Sequence, residues 1–186
     1  MPEELFDIVD DDDAVIGRER RSVAHRKGLL HRGTHVCLFA PDGRMLIQRR
    51  AHDRPSEPGA LDCSVSEHLQ AGEDYLRAAQ RGLREELGLR EIDLQPLIKF
   101  KMSYGPNDNE ISVLFQGRLR PGDHIRFDPA EVESVGYADL AELQRWLDEG
   151  LRPFSKWLAQ MLLWWARRPN EMDIRNVYGE LGNFPP

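Results

Sequence analysis

The sequence predicts a mixed α/β domain in which a sheet is packed between helices. Three observations carry that reading: short strand-like runs parted by turn residues in the first 60 positions, one amphipathic helix over 74–87, and three later strands closed by two helices. No internal repeat is visible. At 186 residues the chain has room for one such domain, placed at 1–168, with a polar tail over 169–186.

Residues 5–9 and 14–17 read as short strands flanking the acidic turn 10–13. Consecutive aspartates on such a turn usually do no more than solvate it. The segment 35–39 is a strand, Pro41-Asp42-Gly43 a tight turn and 44–49 the hairpin partner. Between 50 and 61 the chain is polar and contains prolines, which predicts a loop over the substrate. Leu76, Ala79, Leu83 and Leu87 recur at helical spacing and give 74–87 one apolar stripe, with Gly88 as its stop. Strands are expected at 95–102, 110–118 and 132–137, and helices at 140–147 and 155–167. The last helix carries Trp164 and Trp165 side by side. Adjacent helical residues cannot both point inward, so one sits at the rim or offers a homodimer contact.

Composition narrows the function classes. A formal charge of −7 disfavours binding to a nucleic acid polymer. The two cysteines, Cys37 and Cys63, make no disulfide framework and fit a reducing compartment. No apolar run approaches a membrane span, and the first residues lack the basic and apolar regions of a signal peptide. A cytoplasmic location is therefore expected.

The chemistry concentrates between Gly72 and Leu89. Glu73 precedes the helix, and Arg81, Glu85 and Glu86 lie on it. Arg81 and Glu85 are four apart and share a face. Glu85 and Glu86 stand near the helix C-terminus, where the backbone dipole disfavours each carboxylate by about 0.3–1 kcal/mol and a bound cation would offset the penalty. On these residues alone, an ordinary solvated helix is an equal alternative.

The stretch from Glu67 to Leu89 resembles the signature box of the Nudix hydrolase superfamily, with Glu73, Arg81, Leu83, Glu85, Glu86, Gly88 and Leu89 in matching places. Two positions depart: Glu67 stands where the family has its opening glycine, and Gly82 where it usually has the first glutamate of the metal cluster. The run Val23-Ala24-His25-Arg26-Lys27-Gly28-Leu29-Leu30-His31-Arg32 is similar to the branch containing isopentenyl-diphosphate isomerase and its hydrolase relatives. Leu46–Arg50, Pro58–Asp62 and His68 fit that branch as well. The resemblance implies the Nudix α/β/α sandwich, with a mixed sheet and extra C-terminal helices.

It also implies two sets of ligands. One is the box set, Glu85 and Glu86 with Glu110, suited to Mg2+ or Mn2+. The other, by likeness to the isomerase, falls on His25, His31, His68, Asp108 and Glu110, donors that suit Mn, Zn or Fe as well as Mg. Taken singly, each histidine is more often a surface or supporting group, and His25 and His31 read as loop residues.

The isomerase chemistry meets an obstacle at Ser66, which occupies the place of the isomerase's acidic cysteine. A hydroxyl lacks thiol-like acidity. Cys63, three residues upstream, is expected to face the other way along a strand. Hydrolysis needs only activated water and neutralised phosphate charge. Glu85, Glu86 and Glu110 are the expected catalytic carboxylates, supported by Glu73 and Arg81. Arg21, Lys27, Arg50 and Arg54 are the expected phosphate contacts, and Arg50 rather than its neighbour Arg49 faces the site. Tyr104 is the chosen stacking ring for a base. The expected substrate is a small molecule in which a nucleoside diphosphate is joined to another group; isomerisation of isopentenyl diphosphate and diphosphate binding without turnover are the alternatives.

Overall fold

The computed structural model describes residues 3–54 and 56–182, so residues 1–2 and 183–186 of the expected start and tail lie outside it. In chain order the elements are β1 (Leu5–Val9), β2 (Val15–Arg20), α1 (Arg21–Lys27), β3 (His31–Phe39), β4 (Met45–Arg50), β5 (Leu61–Asp62) and β6 (Val65–His68). There follow α2 (Tyr75–Leu87), β7 (Leu94–Gly105), β8 (Asp108–Arg118), β9 (Val132–Ala138), α3 (Leu140–Asp148), α4 (Lys156–Trp165) and β10 (Asp173–Val177).

The sheet is mixed and is organised around β3. β8 runs parallel to it, while β1, β4 and β6 pair with it antiparallel. The main path is β10-β7-β8-β3-β1-β2, and β9 and β5 join through β4. The period-2 alternation of β3 divides the core. Val36 and Leu38 pack with Val65, Ala79, Leu83 and Leu87 under α2, whereas Cys37 and Phe39 pack with Leu143, Leu158, Met161 and Leu162 under α3 and α4. Helices thus cover both faces, as the sequence predicts.

α2 begins where Asp74 accepts a hydrogen bond from the Arg77 amide at 2.8 Å and ends at Gly88, whose φ of 67° puts it in the left-handed region. Its inner face differs from the expected stripe. Ala79, Leu83 and Leu87 turn inward as expected, but Leu76 is 41% exposed, and Ala78, Arg81, Gly82 and Glu86 are buried beside the stripe. A carboxylate therefore occupies a core-facing position.

Four further differences have physical causes. The segment expected as a loop around His25 is α1, a two-turn helix closed by left-handed Gly28 and too short to show a periodic pattern. His31 is not in a loop either: it opens β3, four residues before the expected start, because β8 and β6 pair with this stretch and bury it. The expected turn 105–109 shrinks to two residues, and Asp108 already pairs with Gly105. Within the expected polar tail, residues 173–177 form β10, an antiparallel edge strand on β7. Trp164 and Trp165 are both half-buried against the core under α4.

Candidate functional site

The register of β3 assembles the site. His31 pairs with Glu110 of β8, Gly33 with His68 of β6, and His35 with Ser66. Alternation then sends His31, His35, Ser66, His68 and Glu110 to one face, where Gly33 leaves the space they fill. A Cβ on Gly33 would lie 1.9 Å from Glu110 Oε2 and 2.8 Å from Ser112 Oγ. Gly33→Ala is expected to displace the Glu110 carboxylate and to destabilise the fold by roughly 1–3 kcal/mol. Thermal denaturation, with metal titration alongside, checks this; an unchanged midpoint and unchanged metal affinity would contradict it.

His25, His31, His68 and Asp108 each bring a ligand atom within 4.8 Å of the others. His31 Nδ1 lies 2.8 Å from the Leu29 carbonyl, which fixes the proton there and leaves Nε2 as a lone pair aimed at the group. That Nε2, together with His25 Nε2 and Asp108 Oδ1, is buried without a hydrogen-bond partner. Orphaned acceptors facing one another are costly unless a cation joins them, so the donors fit a metal ion. Burial lowers the pKa of His25 and His31 and keeps them neutral, the form that ligates. His68 behaves differently. Burial disfavours its charged ring, but Glu110, 3.2 Å from Nε2, outweighs burial and raises its pKa. Glu110 in turn is held down at about 2, the charge and hydrogen bond of His68 overcoming its burial. Phe6 walls the group, its ring 5.1 Å from His31 and 5.0 Å from His68.

The second part of the site belongs to α2. Arg81 binds Glu73 through two parallel contacts of 2.9 and 3.0 Å, because the chain curls at residues 70–73 and brings Glu73 back to the helix. The same guanidinium reaches Glu85 at 3.1 Å, Glu67 at 3.0 Å and the His68 carbonyl at 2.8 Å. Glu85 and Glu86, neighbours in sequence, part company. Glu85 is 59% exposed at the mouth, while Glu86 is 4% exposed and accepts a hydrogen bond from Gln48 at 3.0 Å. Burial, then the charge of Glu67, pushes the Glu86 carboxyl well above the usual range.

Both parts open on one cleft with a cavity volume of about 150 Å3. Arg21, Arg50, Arg54 and Tyr104 line it. Each arginine already meets a carboxylate: Arg21 with Glu4 at 3.2 Å, Arg50 with Asp62 at 2.9 Å and Arg54 with Glu131 at 3.3 Å. Arg49 points elsewhere, its guanidinium on the Gly59 carbonyl. Lys27 is not brought to the cleft; it is 57% exposed and its nearest carboxylate is Glu19, 4.0 Å away. The helix that carries it ends facing β2. Tyr104 sits within 3.1 Å of His35 Nε2 and edge-on to Trp157.

Sequence reasoning passed over His35, Asp62, Glu67 and Trp157. His35 shares the period-2 spacing of His31, so its facing was readable from the strand pattern. Asp62 showed no such sign. It is fully buried and accepts from Arg50, Ser155 and the Trp157 indole, fixing the arginine against the Trp157 ring at 5.1 Å. Cys63 also differs from expectation. The chain breaks strand geometry between β5 and β6, so its Sγ comes within 3.2 Å of Ser66 Oγ. It remains fully buried behind Ser66, and burial pushes its thiol pKa up.

A mixed sheet between helices thus carries a buried glutamate on its central helix and imidazole donors across one cleft, a donor set that fits a divalent ion. The NUDIX domain family matches residues 29–158. Isopentenyl-diphosphate Delta-isomerase 1 of Aromatoleum aromaticum is 35% identical over 158 residues, covering 81% of this chain and 86% of that protein. An uncharacterized Nudix hydrolase of Streptomyces coelicolor is 34% identical over 149 residues, covering 79% and 81%. The crystal structure of DR0079 from Deinococcus radiodurans superposes with a TM-score of 0.73 at 25% identity, covering 86% of this chain and 97% of that one. The chain belongs to the Nudix superfamily, in the branch that resembles isopentenyl-diphosphate isomerase. Divalent metals such as Mg2+ or Mn2+ are the general cofactors of that family. Among the described residues no helix is long and apolar enough to cross a membrane.

Proposed function

We propose that this protein is a metal-dependent pyrophosphohydrolase that cleaves the diphosphate of a nucleoside diphosphate joined to another group. The observation that carries the reading is the charge balance of the cleft. Glu67, Glu85, Asp108, Glu110 and Glu131 line it, and its arginines are already paired. An anionic diphosphate is repelled from such a cleft unless bound cations offset the carboxylates. When bound there, a divalent ion supplies charge neutralisation and a water of lowered pKa.

In this reading Glu85, Glu86 and Glu110 hold the cations, and Glu110 also anchors His68. Arg81 orients Glu85 while Glu73 fixes Arg81. Arg21, Arg50 and Arg54 exchange part of their carboxylate contacts for phosphate oxygens, which a guanidinium meets with parallel donors. Tyr104 and Trp157 offer ring surface to a base at the inner end of the cleft. His25, His31, His68 and Asp108 hold a second ion.

The names of several relatives favour a second reading, isomerisation of isopentenyl diphosphate. Against it stands Ser66 at the cleft wall, with the Cys63 thiol fully buried behind it. Chromatography of products from a panel of nucleoside diphosphate compounds, with Mg2+ and Mn2+ supplied separately, tests the proposal. A nucleoside monophosphate released with either ion and abolished by chelator is the expected result; an intact panel with both ions contradicts it.

A further inference from the structure

Glu67 and Gly82, the two residues that break the box pattern, touch each other. Alternation along β6 sends Ser66 and His68 to the cleft face and Val65 and Glu67 to the α2 side. There α2 passes close enough that a Cβ on Gly82 would lie 2.6 Å from Val65 Cγ1 and 3.4 Å from Glu67 Cβ. Any side chain at 82 would collide with β6. The glycine therefore leaves its space to the Glu67 side chain, which continues to Arg81 and the cleft.

We propose that Glu67 is a cation ligand of the α2 site, supplying from the sheet the carboxylate that position 82 cannot supply from the helix. The inference rests on the metal-dependent reading above and assigns one of its ligands. Glu67 lines the same cleft as Glu85, and both carboxylates meet the same Arg81 nitrogen, at 3.0 and 3.1 Å. A second feature points to an absent ligand. Gln48, 2% exposed, donates its Nε2 to Glu86 while its Oε1 has no partner, leaving an acceptor idle beside the carboxylates. A hydrated ion held by Glu67 and Glu86 provides donors for that oxygen. Arg81 meets Glu67 Oε2 at 3.0 Å and the His68 amide donates to Oε1 at 3.0 Å, which holds the carboxylate extended and leaves each oxygen one further lone pair for an ion.

The test reads Mn2+ binding by the electron paramagnetic resonance signal of free Mn2+. One equivalent of Zn2+ first fills the histidine group, which prefers it. Glu67→Gln is expected to weaken Mn2+ binding at least about tenfold without changing the circular dichroism spectrum. Glu73→Gln, which removes a different carboxylate from Arg81, is the comparison and is expected to weaken binding clearly less than Glu67→Gln, since a role confined to holding Arg81 would move both variants alike. Equal affinity in wild type and Glu67→Gln, an equal fall in both variants, or no Mn2+ bound by the wild type would overturn the inference. Binding that depends on Glu67 in a protein that cleaves no diphosphate would reject the hydrolase reading and leave this assignment standing.

Discussion

Glu86→Gln is expected to lower turnover at least about tenfold, a loss of roughly 1.4 kcal/mol of transition-state stabilisation, while the fold survives. The substitution keeps the shape and the oxygen that Gln48 addresses, and removes only the charge. Stability should move the opposite way. The Glu86 carboxyl is raised above its unfolded value by burial and by Glu67, so its contribution is complete at low pH and is lost as pH rises through the folded value. Without divalent ions the glutamine variant should therefore gain stability relative to wild type as pH increases. Denaturation measured from acid to alkaline pH, beside turnover, reads both effects. Unchanged turnover on a verified substrate would remove α2 from the mechanism.

The second large effect belongs to the histidine group. His31→Ala and His68→Ala are each expected to lose the metal that elemental analysis finds in the loaded wild type, with affinity down at least about tenfold. The two should differ in stability. His68→Ala leaves Glu110 ionised, 5% exposed and without its nearest cation, a defect of about 3 kcal/mol when a buried pair is broken. His31→Ala removes a neutral ring stacked on Phe6 and costs the fold through lost packing. Equal metal content in all three proteins would return the histidines to hydrogen bonding within the fold.

Much of this site was legible because helical and strand periods fix where side chains go. The spacing of Glu73, Arg81, Glu85, Glu86 and Gly88 led to α2 and its glycine stop, and the alternation of Arg49 and Arg50 indicated which of them faces the cleft. The facing of Glu86 was half legible. Its stripe was drawn through Leu76, which is exposed, because a buried carboxylate cannot be told from a polar border residue by period alone. α1 escaped because two turns carry too few apolar residues to declare a helix. β10 escaped because a polar edge strand, exposed along most of its length, looks like a tail. The contact between Glu67 and Gly82 was the least readable. Both departures were visible, yet only the packing of β6 against α2 shows that one makes room for the other.

The most direct test of diphosphate cleavage is phosphorus NMR of one reaction in water enriched in oxygen-18, run on the nucleoside diphosphate panel and on isopentenyl diphosphate. Attack of water at phosphorus puts the label on one of two phosphate-bearing products and leaves isopentenyl diphosphate unchanged. That is the result expected here. Conversion of isopentenyl diphosphate to its allylic isomer with the diphosphate intact and unlabelled, and no cleavage across the panel, would contradict the account.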